Sequence, residues 1–83
     1  MKIRLRYFAS LREALETGSE VFECDATTIG QLRDALAARG GAYGQVLAPG
    51  RSVRTALNQT LVDDAALLTE DCEVAFFPPV TGG

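Results

Sequence analysis

Residues 2–8 alternate strictly, with Ile3, Leu5 and Tyr7 on one side and Lys2, Arg4, Arg6 and Phe8 on the other. That two-residue period predicts a half-buried strand from Lys2 to Phe8. Ser19 to Cys24 alternates again around Val21 and Phe22 and predicts a second strand. Between them Ser10-Leu11-Arg12-Glu13 has the form of a capping box, a hydroxyl at the N-cap and a carboxylate three residues on. A short helix to about Thr17 follows, closed by Gly18. The period then changes from 2 to 3.6. Thr28 and Gln31 form a second capping box, Ile29, Leu32 and Leu36 share one stripe with the small Ala35, and Gly40-Gly41 supplies a stop. This predicts the main helix, Thr28 to Arg39.

Ala42 to Gly50 holds Tyr43, Val46 and Leu47 but also Pro49-Gly50, and reads as a helical turn followed by a loop. Val53 to Asn58 and Thr60 to Val62 read as two short strands turned at Asn58-Gln59. Glu70-Asp71 marks another turn before a last strand, Glu73 to Phe77. Pro78-Pro79 must stop that strand, because neither residue has an N–H to give a ladder. Strands at both ends with one long helix between them define an α+β domain, a mixed sheet with the helix packed across one face.

At 83 residues the chain is one domain with room for a single modest core. We divide it into a body, residues 1–77, and a tail, residues 78–83. A hydrophobic fraction of 47% with 23% charged residues is ordinary for a chain that folds without a metal or disulfide staple. The net charge of −3 argues against a nucleic-acid partner, which needs a clustered excess of cations. Lys2, Arg4 and Arg6 are a local exception, three cations on one strand face that suit an acidic protein surface. Cys24 and Cys72 stand far apart in a chain without histidine, so no zinc or thioredoxin-like motif is available and both read as buried apolar residues. No apolar run approaches the roughly 20 residues that cross a bilayer, and a cytoplasmic protein with reduced thiols is expected.

Residues that could form an active site are few. Without histidine the chain lacks the usual base for a serine or cysteine nucleophile. Asp63-Asp64 and Glu70-Asp71 fall in turns, where solvated carboxylates are the plain reading. No GxxxxGK[ST] or GxGxxG sequence offers a phosphate cradle. The end of the chain is more informative. Phe76-Phe77 passes into Pro78-Pro79, then Val80, Thr81, Gly82 and Gly83. Pro-Pro favours an extended segment that projects from the body at low entropic cost. Gly-Gly is narrow enough to thread a tunnel and leaves a terminal carboxylate open to another enzyme's groups.

A strand–helix–strand domain whose last strand feeds a Gly-Gly terminus resembles the ubiquitin-like β-grasp family along its whole length. The resemblance narrows on Tyr7-Phe8-Ala9 with Leu11-Arg12-Glu13, on Asn58-Gln59-Thr60-Leu61-Val62, and on the run from Glu73 to Gly83. Together these are similar to the small subunits of molybdopterin synthase.

The resemblance implies that Gly83 is adenylated by an E1-like enzyme that uses ATP, and is then converted to a thiocarboxylate. It implies that Pro78, Pro79, Val80, Thr81 and Gly82 enter the large synthase subunit, where the sulfur passes to a cyclic pterin phosphate precursor. The small subunit would hold no tightly bound cofactor and no metal, and the acid, base and phosphate-binding groups would belong to the large subunit. On the alternation, Phe8 and Phe77 point outward on neighbouring strands and Leu61 extends them, an apolar patch that suits a partner. Two alternatives stay open: a carrier for another pathway, such as thiamine synthesis, and a ubiquitin-like modifier ligated through Gly83 to lysines. A plain binding module with an inert tail is a third.

Overall fold

The computed structural model describes residues 1–48 and 50–79. Its elements are β1 (Lys2–Tyr7), α1 (Ala9–Leu15), β2 (Ser19–Glu23), α2 (Ile29–Ala37), α3 (Gly41–Leu47), β3 (Arg54–Leu57), β4 (Thr60–Val62) and β5 (Glu73–Phe77). The sheet order is β2-β1-β5-β3-β4, so the first and last strands meet at its centre. That central pair is parallel, with Leu5 beside Val74 and Tyr7 beside Phe76, and the other pairs are antiparallel. The expected mixed α+β sheet is present with the main helix, α2, packed across it; the expected short helix and the helical turn after Gly41 are α1 and α3.

The alternation of β1 sets the layers. Ile3, Leu5 and Tyr7 are sealed, as are Val74 and Phe76 on β5. They meet Ile29, Leu32 and Leu36 of α2, Leu11 and Leu15 of α1 and Leu47 of α3 in one core. Large side chains buried this way stabilise by roughly 1.5–3 kcal/mol each relative to exposure, which is what a domain of this size relies on. Tyr7 stacks on Phe76 with ring centroids 6.2 Å apart.

Helix boundaries moved where tertiary contacts outvoted local signals. The Ser10–Glu13 capping box does not form: α1 starts at Ala9, its N-cap is Phe8 without a side-chain bond, and Glu16 rather than Gly18 takes the left-handed C-cap. Starting early brings Leu11 and Leu15 onto the core. At α2 the Thr28 hydroxyl accepts from Gln31 N at 3.2 Å, as expected of a cap. The return bond goes one residue further, from Thr27 N to Gln31 Oε1 at 2.8 Å. Gly40 and Gly41, at φ of 79° and 55°, let the chain leave α2 and enter α3 at once. That helix is longer than the expected single turn because Leu47 is buried.

At the β3–β4 turn Asn58 and Gln59 both have positive φ, 48° and 71°, the mark of a tight hairpin. Cys72 is buried as read, but Cys24 is only partly so. β5 ends at Phe77 with Pro78 next. The expected tail beyond Pro79 lies outside the described residues.

Candidate functional site

The face of the sheet opposite the core carries the side chains that β1 and β5 turn outward. Arg54 lies directly across from Phe77. On the other side of Phe77, Phe8 follows Tyr7 in the parallel register and donates its N–H to Phe76 O at 3.1 Å. One step back along the strands, Arg6, Ala75, Ala56 and Leu61 stand side by side across four strands. Phe8 is 39% and Leu61 57% exposed, and Phe77 is half-buried. Two alanines floor the space between Phe77 and Leu61, so the expected trio shares one face: Phe8 and Phe77 adjacent, Leu61 about 10 Å across the strands. Small residues there keep the patch shallow.

Arginines frame that patch. The Arg6 guanidinium sits 5.3 Å from the Phe8 ring centroid and 3.9 Å from a Glu73 oxygen. Both contacts are long and exposed, and are worth a few tenths of a kcal/mol to about 1 kcal/mol each. Arg54 forms no ion pair among the described residues. Pro78, the first residue of the tail, lines a shallow groove with Ser10, Val46, Arg51 and Val53. The patch and the groove therefore surround the point where the chain leaves the sheet. Pro79 is exposed; Val80, Thr81, Gly82 and Gly83 lie outside the described residues.

Two charged groups escaped sequence reasoning. Glu20, on β2, accepts hydrogen bonds from Tyr7 Oη at 2.9 Å, Tyr43 Oη at 2.7 Å and an Arg39 guanidinium nitrogen at 2.9 Å. Burial pulls this carboxyl upward, but the bonds from Tyr43, Arg39 and Tyr7 outweigh it and hold the group below the ordinary carboxylate value. Burial first, and the bond to Glu20 second, push both tyrosine hydroxyls above their ordinary value. The bond to Glu20 raises Arg39, whose guanidinium also lies 4.1 Å from the Tyr43 ring centroid. The cluster pins β2, β1 and the α2–α3 junction together.

Arg33 is the second group, buried on α2. It donates to the carbonyls of Leu47, Ala48 and Arg51 at 3.1–3.3 Å, satisfying the C-terminal end of α3, and lies 3.8 Å from Asp64. Both arrangements tie neighbouring elements together through their hydrogen bonds. The alternation did hold a clue to Glu20, which shares the inward side of β2 with Phe22 and needs partners there. Among the described residues no group of His, Cys, Asp and Glu is placed to hold a metal ion.

A helix-covered mixed sheet with parallel first and last strands, and a bare face beside the C-terminal exit, defines a ubiquitin-like β-grasp domain. Residues 5–83 match the ThiS family, and the chain belongs to that family. It is 41% identical over 81 residues to the molybdopterin synthase sulfur carrier subunit of Escherichia coli strain K12, covering 98% of this chain and 99% of that one. The fold matches the solution structure of the HVO 2177 protein of Haloferax volcanii with a TM-score of 0.81 at 28% identity, covering 100% of this chain and 87% of that one. It also matches a chain in the complex of subunits 1 and 2 of the molybdopterin-converting factor from Helicobacter pylori, at a TM-score of 0.69 and 23% identity with both chains fully covered.

Proposed function

We propose that this chain is the sulfur carrier of a molybdopterin synthase, working in the cytoplasm with sulfur held on the carboxyl carbon of Gly83. The observation that supports it most is the Phe8–Phe77 pair beside the strand end that feeds Gly82-Gly83. A recognition patch and a reactive terminus then share one docking event.

A free carboxylate is a poor acyl donor because oxide is a poor leaving group. An E1-like partner would spend ATP to join AMP to the Gly83 carboxylate. A sulfide-level sulfur donor would then attack the acyl carbon, forming a C–S bond as the C–O bond to AMP breaks, and leave a thiocarboxylate, itself a strong nucleophile. Phe8, Phe77 and Leu61 would bury against the large synthase subunit, while Pro78 to Gly82 carry the sulfur into that subunit's site and onto the cyclic pterin precursor. The carrier contributes position and the terminal group; proton transfer and phosphate binding belong to the large subunit. Two carriers serve each dithiolene, since it needs two sulfurs and each chain has one terminus.

The test is ATP–pyrophosphate exchange by the activating enzyme with this protein as acceptor. Exchange that vanishes when Gly83 is deleted supports the reading. Exchange indifferent to the deletion overturns it, and isopeptide conjugates without sulfur transfer would instead make the chain a modifier.

A further inference from the structure

An activated terminal carboxyl is a hazard to the protein that carries it, because any amine or thiol within reach will take the acyl group. The chain has one lysine against seven arginines, and two cysteines. The fold collects the amines and thiols, those of Met1, Lys2, Cys24 and Cys72, at one pole. Lys2 pairs with Glu23, and Asp71 donates its N–H to Lys2 O at 2.8 Å. The Met1 amine donates to Cys24 O at 2.9 Å, and Cys24 N donates back to Met1 O. Cys72 accepts from Arg4 N at 2.9 Å and is buried. The tail leaves from the opposite pole, after Phe77.

Distance decides what this means. Lys2 lies six residues before Phe8, the neighbour of Phe77, or about 20 Å along β1. The six residues from Pro78 to Gly83 span at most about 20 Å when straight. The terminal carboxyl therefore meets the Lys2 amine only when the tail lies back along the sheet, extended over most of its length. Around the tail root the cations are arginines: Arg54 opposite Phe77, Arg51 in the groove with Pro78, and Arg6 over Phe8. A guanidinium stays protonated and does not attack acyl groups, whereas a lysine amine does once it loses its proton.

We propose that this segregation is a protective device: Arg54 and Arg51 supply positive charge at the tail root without a nucleophile, so the activated Gly83 carboxyl survives until an external sulfur reaches it. The inference rests on Gly83 being the activated group. In the side reaction it prevents, an amine attacks the acyl carbon, a C–N bond forms, the bond to AMP breaks, and AMP and a proton depart.

The test installs the activated group chemically, so it does not depend on the activating enzyme. The full chain is made with a C-terminal thioester at Gly83 by intein cleavage, in the natural sequence and separately as Arg54→Lys, Arg51→Lys and Lys2→Arg. Each is incubated at mildly alkaline pH and followed by intact mass and peptide mapping. The natural protein and Lys2→Arg should lose the thiol only by hydrolysis. Arg54→Lys or Arg51→Lys should form an internal amide, one water lighter than the free acid and mapped to the new lysine, on the order of tenfold faster than hydrolysis because tethering raises the effective concentration. Acylation of Met1, Lys2 or a cysteine in the natural protein at a comparable rate would overturn the proposal. So would hydrolysis alone in both arginine variants. Failure of ATP–pyrophosphate exchange, by contrast, bears on the activation of Gly83 and not on this arrangement.

Discussion

On the helix-covered face of the sheet, Leu5, Val74 and Phe76 are sealed and the Tyr7 hydroxyl is spoken for by Glu20. On the opposite face Phe8 and Leu61 stand in water, and the nearest cation, Arg6, holds Glu73 at 3.9 Å. Both faces come from the same alternation of β1 and β5, yet one is saturated and the other is not. A polar group that is fully partnered on the inside specifies one packing. An apolar group left unpartnered beside a chain end is available for recognition. Stability and partner affinity should therefore separate by face, and substitutions on each side can break that division.

The largest effect should come from the sealed face. Leu5→Ala should cost about 2–5 kcal/mol in urea unfolding, through lost burial and the cavity left behind. A cost near zero would mean that the face is not the core. On the open face, Phe77→Ala should weaken binding to the large synthase subunit by about 2 kcal/mol in calorimetry while changing unfolding free energy far less, since central aromatic anchors dominate interfaces. Equal losses in both measurements would erase the distinction between the faces.

Glu20→Gln should cost about 1–2 kcal/mol at neutral pH, because it weakens three hydrogen bonds to a carboxylate. Its pH signature is more specific. The folded carboxyl titrates below its ordinary value of 4.5, so as pH falls the unfolded chain takes the proton first. The stabilisation is complete above that ordinary value and drains away below it. Acid unfolding of the Gln variant should lose this part of the slope. Smallest of all, Val21→Thr, on the edge strand β2 and 65% exposed, should shift both stability and affinity by no more than about 0.5 kcal/mol.

Much of this was legible before the structure. β4 and β5 lie where alternation and flanking turns put them, because Asn58-Gln59 and Pro78-Pro79 punctuate the chain unambiguously. The outward placement of Phe8 and Leu61 followed from the same two-residue period. Helix starts were less legible. At α1 a local hydroxyl cap lost to the burial of Leu11 and Leu15, and Ala9 was driven to a φ of 53°. The Glu20 cluster was missed because its members are 13 to 23 residues from Glu20 and meet only when β1 pairs with β2 and the α2–α3 junction packs over them. The segregation of Lys2, Cys24 and Cys72 from the tail was likewise invisible until the parallel pairing of β1 and β5 gave the sheet its two poles.

Whether Gly83 carries sulfur is read from the mass of the C-terminal peptide after this protein is incubated with the activating enzyme, ATP and a sulfur source. A sulfur carrier gains the mass of one oxygen exchanged for sulfur, confined to that peptide and absent without ATP. A terminal peptide that keeps its free carboxylate under those conditions, while adenylation proceeds, would contradict that role.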